Sequence, residues 1–110
     1  MIDWSRVNEL RDEVGAEDFD EVVDLFLEEV EEVIDRLRSA PDMSRLEQDM
    51  HFLKGSALSL GFDAFSNLCQ TGERLSAEGA ADSVDVAGVI AGFEQSKAMF
   101  LADLKQNIAA

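Results

Sequence analysis

Phe19-Asp20-Glu21-Val22-Val23-Asp24-Leu25-Phe26-Leu27-Glu28-Glu29-Val30-Glu31-Glu32-Val33-Ile34-Asp35-Arg36-Leu37 is the stretch on which the reading of the fold turns. Phe19, Val22, Val23, Phe26, Val30, Val33 and Leu37 recur at steps of three and four, with acids between them. That spacing places an apolar stripe on one side of an α-helix and the charges on the other. Asp18 followed by Glu21 predicts a capping-box start, and Ser39-Ala40-Pro41 predicts the end.

The same periodicity extends in both directions. A shorter helix is predicted from about Asp3 to Val14, with Trp4, Val7, Leu10 and Val14 inward and Gly15 as its stop. A third should start near Asp42 or Ser44, where Ser44 and Glu47 form a capping box. It would bury Leu46, Met50, Leu53, Ala57 and Leu60 before meeting Gly61. Asp63 is positioned to cap a fourth helix carrying Phe65, Leu68, Cys69 and Leu75 inward and ending at Gly79. A fifth should begin near Asp82 or Ser83 and bury Val86, Val89, Ile90, Phe93, Phe100, Leu104 and Ile108. No stretch alternates with period two, and no Asn-Gly or Asp-Gly hairpin turn occurs. The expected fold is all-α: an antiparallel up-down four-helix bundle with a short additional N-terminal helix.

The chain has 110 residues, a length that favours one domain over residues 1–110. It carries 24 acids and 9 bases, for a net charge of −15. Residues 1–50 hold 17 acids and 5 bases, and ten acids with no base lie between Glu17 and Asp35. Such a surface repels phosphate backbones and anionic lipid, which argues against direct nucleic-acid or membrane binding. It reads as a solvated helix face or as a surface that mimics nucleic acid or engages a basic partner. No uncharged apolar run approaches the roughly 20 residues needed to cross a bilayer. The first residues lack a secretory pattern, and one Cys makes no internal disulfide; a cytoplasmic protein is expected.

His51, the only histidine, breaks the helical pattern. At about 100° per residue, Leu46, Leu53 and Leu60 fall on the opposite side of the third helix. Ser44, Glu47, Gln48, Lys54, Gly55 and Leu58 lie within about 60° of His51, so the ring faces outward. Gly55, one turn on, is unfavourable in a helix interior and is required there by neither cap nor turn, since Gly61 serves the helix end. A missing Cβ beside the ring leaves room for another molecule. Lys54 adds a cation on the same face, or else pairs with Glu47 or Asp49. Together these residues describe a reachable nucleophile with local positive charge, suited to a transferring phosphoryl group.

His51-Phe52-Leu53-Lys54-Gly55-Ser56-Ala57-Leu58-Ser59-Leu60-Gly61 resembles the signature of histidine-containing phosphotransfer (HPt) domains, and is similar to the N-terminal phosphotransfer domains of chemotaxis histidine kinases. Leu68-Cys69, Glu73 and Glu78-Gly79 fit the next helix of that family, and the likeness spans about residues 15–105. The resemblance implies that His51 accepts a phosphoryl group on Nε2 and that Glu73 hydrogen-bonds the other ring nitrogen. It implies further that Lys54 offsets phosphoryl charge and that Gly55 permits approach, with Gln48 a further polar contact. Without the resemblance Glu73 reads as an exposed helix acid.

Two departures stand out. Met50 is bulky where the family commonly has a small residue, and Ala77 replaces a polar or basic one. Gly72 beside Glu73 either loosens its turn or allows close helix packing. Leu58, and Phe62 if the helix runs on, fall within about 20° of His51. They form an apolar docking patch, or the N-terminal helix covers them.

A di-iron bundle needs paired Glu-x-x-His sites, whereas Gln48 stands three before His51 and no second histidine exists. Cys/His zinc sites lack ligands, while an all-carboxylate cation site stays open. The resemblance thus implies a phosphorelay intermediate exchanging phosphoryl groups between His51 and aspartates of response-regulator receiver domains, with a sensor histidine kinase upstream. No cofactor is expected on this chain, Mg²⁺ being expected on the partner receiver, and no kinase activity of its own is expected. A monomer is the simpler expectation, and the length and long closing helix lean toward a free-standing protein. The alternative is a non-catalytic acidic helical interaction module, a nucleic-acid mimic or an adaptor.

Overall fold

The computed structural model describes residues 2–107, and five α-helices account for most of them: α1 (Trp4–Val14), α2 (Phe19–Ser39), α3 (Leu46–Leu60), α4 (Asp63–Ala77) and α5 (Val86–Asn107). Short 3₁₀ turns at Met43–Arg45 and Ala81–Ser83 lead into α3 and α5. The expected Ile108 of the last helix lies outside the described residues.

Cross-helix partners show how the helices run. His51 meets Glu73 on either side of the Gly61-Phe62 connection, so α3 and α4 are antiparallel. Arg36 meets Asp49 while Phe26, farther back on α2, shares a groove with Ser59, farther on in α3. Arg38 bonds Glu94 at 2.7 Å, and Glu31, about two turns back, pairs with Lys97 on α5. Each pair moves in opposite directions along its two helices, as an up-down bundle requires. Arg36, Arg38 and Lys97 thus tie the acidic α2 to its neighbours.

The stripe of α2 lies against the core, with Phe19, Val23, Val30, Val33 and Leu37 buried. Val22 and Phe26 are only partly buried, and Leu27, outside the predicted stripe, is buried in their stead. Leu46, Met50, Leu53, Ala57 and Leu60 line the inner side of α3, and Phe65, Cys69, Phe93 and Phe100 come from α4 and α5. Trp4 stacks on Phe100 with ring centroids 5.7 Å apart, fastening α1 across one end.

Several predicted caps are displaced. Asp18 makes no side-chain cap, because its backbone is already helical (φ −97°, ψ −7°) and is drawn into a turn by its N–H to the Gly15 carbonyl. The Ser44–Glu47 box does not form: Asp42 accepts from the Ser44 amide and hydroxyl, at 3.0 and 2.6 Å, and starts the 3₁₀ turn instead. Asp63 is the first residue of α4 rather than its cap, since the two-residue connection leaves Phe62 at the cap position. The fifth helix starts at Val86, later than Asp82 or Ser83, because Val84 is extended (ψ 129°) and Asp85 supplies the cap by accepting from the Gly88 amide. Leu68 is half-exposed, lying over Gly92 while Phe65 and Cys69 take the inward positions.

Gly61 is required twice. Its φ of 76° is left-handed, closing α3 with Phe62 N–H donating to the Ala57 carbonyl at 2.8 Å. A Cβ there would also stand 2.6 Å from the Asp3 carbonyl oxygen. The Asp3 amide donates to the Gly61 carbonyl at 2.7 Å, and Arg6 Nε donates to the Ser59 carbonyl at 3.2 Å. The N-terminal segment is thus held over the α3–α4 turn, and a β-bridge joins Ile2 to Phe62. No helix among the described residues is long and apolar enough to cross a membrane.

Candidate functional site

The middle of α3 carries His51 on its outer side, with the side chain 70% exposed. Burial of Met50 and Leu53 on either side fixes the rotation of α3, and that rotation turns residue 51 to solvent. Glu73, on the facing turn of α4, brings Oε2 to 2.8 Å from His51 Nδ1. Its other oxygen, Oε1, accepts from Lys54 Nζ at 2.6 Å.

The Lys54 hydrogen bond, followed by that of His51, holds the Glu73 carboxyl below the usual carboxylate range despite partial desolvation. Glu73 is therefore ionised near neutrality and is an acceptor only. The nitrogen facing it must donate, so Nδ1 carries the ring proton and the neutral ring keeps a bare lone pair on Nε2. The arrangement holds one imidazole tautomer ready for an electrophile.

The surroundings leave the ring accessible. A shallow groove between α2 and α3 is lined by His51, Gly55, Phe26, Phe52 and Glu29, among others. A Cβ added at Gly55 would meet no neighbouring atom within 4 Å. Leu58 is 54% exposed. Gln48 is exposed too, lining an adjoining hollow with Arg36, Arg45, Asp49 and Phe52.

Phe62 corrects the expected docking patch. It is 1% exposed, its ring 5.4 Å from that of Phe100 and its backbone bridged to Ile2. The turn at Gly61 ends α3 before residue 62, so the helical angle that aligned Phe62 with His51 no longer applies. The N-terminal segment covers Phe62 and leaves Leu58 open.

Lys54 is likewise not paired with Glu47 or Asp49. Asp49 is buried and receives Arg36 through two hydrogen bonds, at 2.9 and 3.2 Å. That pair escaped the sequence reading, although an acid on the inner side of the third helix was its visible signal. Phe52 was missed as well, because it stands about 100° round the helix from His51. Ala77 is exposed and brings no charge to the site. Gly72 resolves toward close packing: a Cβ there would stand 2.9 Å from Met50 Sδ. Among the described residues, no group of three or more His, Cys, Asp or Glu side chains is placed to hold a metal ion.

The Hpt domain family matches residues 21–110. The chain is 34% identical over 77 residues to the phosphorelay intermediate protein YPD1 of Candida albicans, an alignment covering 64% of this chain. It spans 41% of that protein's length. No solved structure matches the chain significantly.

Proposed function

This chain belongs to the Hpt domain family, and from that premise we propose that it is a phosphorelay intermediate, carrying a phosphoryl group on His51 between receiver-domain aspartates. The observation that carries the reading is the Glu73–His51 bond of 2.8 Å on an otherwise open ring. Likeness to a relative described as a phosphorelay intermediate points the same way.

In the forward step the Nε2 lone pair attacks the phosphorus of a receiver's aspartyl phosphate. The N–P bond forms as the acyl P–O bond breaks, and the pair of electrons leaves on the aspartate carboxylate. The proton stays on Nδ1 throughout. The ring gains positive charge as it is phosphorylated, and the Glu73 carboxylate already faces that charge. Lys54 lies on the same face to meet phosphoryl oxygens, and Gly55 leaves the approach unobstructed. Donation to a second receiver is the reverse of this step. Mg²⁺ would belong to the partner's acidic pocket, and an upstream sensor histidine kinase would supply the group. The chain would act stoichiometrically, as a cytoplasmic monomer without kinase activity of its own.

Incubation with phosphorylated receiver domains tests the reading. The wild-type protein should acquire acid-labile, base-stable label that His51→Gln lacks. Equal labelling of the variant would remove the relay, and no labelling of either would favour an acidic module that works by binding alone.

A further inference from the structure

Gly72 and Met50 occupy facing positions on α4 and α3, each one residue before a member of the site. Gly72 precedes Glu73, and Met50 precedes His51. The backbone at Gly72 has no positive φ, so torsion does not call for glycine there. Space does. A Cβ at position 72 would lie 2.9 Å from Met50 Sδ, 3.1 Å from Met50 Cγ and 3.3 Å from Val84 Cγ1. Met50 is fully buried, so its thioether cannot swing into solvent to make room. Glycine weakens a helix interior, and a retained one there needs a compensating gain.

We infer that the Met50–Gly72 contact is the spacer that sets the α3–α4 separation at which Glu73 reaches His51, which makes both of them positioning residues. The two pairs, 50 with 72 and 51 with 73, lie side by side at one level of the antiparallel α3–α4 contact, the first on its buried side and the second at its outer edge. Helices are stiff, and a displacement at one pair is carried to the pair beside it. A methyl at position 72 needs relief of about 0.5 Å or more to regain ordinary contact at roughly 3.5 Å. Lengthening of that size takes a 2.8 Å hydrogen bond past the useful limit of about 3.2 Å. The bulk of Met50 and the bareness of Gly72 are therefore two halves of one fit.

The consequence for transfer rests on the function proposed above, whereas the consequence for the ring does not. Nitrogen-15 NMR of the untagged protein at alkaline pH, where the imidazole is neutral, reads the ring directly, since His51 is the only histidine. The wild type should show the Nδ1–H tautomer. Gly72→Ala should shift the ring toward Nε2–H and slow transfer by about 10-fold, as loss of an orienting partner does at other histidine sites. Combining Gly72→Ala with Met50→Ala should restore the Nδ1–H form and most of the rate. A Gly72→Ala protein that keeps the wild-type tautomer overturns the inference. Should that variant not fold, the double variant decides, because a folded double variant resting in the Nε2–H form overturns it equally. A wild type that takes no phosphoryl group, with the ring following the expected pattern, upholds the spacer and removes the relay.

Discussion

Lys54 and Glu73 are joined at 2.6 Å across α3 and α4, so a cation on the face of the reactive ring is held by the same carboxylate that orients the ring. Glu73 is the hub of the site. It positions the nucleophile through one oxygen and stations a positive charge through the other.

Glu73 should leave a signature in acid. Its folded carboxyl is held below the ordinary value, first by the Lys54 hydrogen bond. A depressed carboxyl contributes stability that is fully present above the unfolded value of about 4.3 and is lost as pH falls through the folded one. Glu73→Gln should therefore be less stable than wild type near neutral pH, with the gap closing in acid. Urea unfolding across a pH series measures this, and a gap constant with pH would assign the loss to packing instead. The same variant should slow phosphotransfer without abolishing it, because the nucleophile remains.

Gly55 separates folding from function. Nothing surrounds its missing Cβ, so Gly55→Ala should firm α3 by up to about 1 kcal/mol. Transfer should slow all the same, because the methyl projects beside His51 where a receiver would approach. Thermal unfolding and transfer kinetics on one preparation check both halves, and unchanged kinetics would deny Gly55 its role.

Arg36 and Asp49 should be unequal under substitution. The Asp49 side chain is 6% exposed and that of Arg36 37%. Arg36→Ala strands a buried carboxylate, a loss of roughly 3 kcal/mol. Asp49→Ala leaves a guanidinium that can turn to water, which costs about 1 kcal/mol. Denaturant unfolding of the two variants tests the order.

Leu58 and Phe62 should part company in the same way. Phe62→Ala empties a fully buried position and should destabilise the fold by about 3–5 kcal/mol. Leu58→Ser should leave the melting temperature nearly unchanged and weaken binding to a cognate receiver by about 10-fold, near 1.4 kcal/mol. Calorimetry and titration distinguish the two.

Much of the fold was legible because a buried stripe every three or four residues has no other economical reading. The stripe through Leu46, Met50, Leu53, Ala57 and Leu60 also settled which way residue 51 points, since a helix with one side buried has no freedom to turn. Helix ends were less legible. Asp18, Ser44 and Asp63 all carry capping chemistry, but whether a side chain caps depends on the backbone torsions of the turn before it. Phe62 was misplaced for a related reason, its helical angle being lost once Gly61 adopts a left-handed conformation.

What the amino-acid sequence determined by itself was local: five helices, an outward histidine, and a glycine and a lysine on the same face within one turn of it. Only the tertiary structure decided that Glu73 takes Lys54 as well as the His51 expected from the resemblance, that Arg36 neutralises the buried Asp49, and that Gly72 gives way to Met50. Those contacts join residues on different helices. Their distances depend on how closely two helices approach and at what register, quantities set by the packing of the whole interface rather than by the periodicity of either strand of sequence.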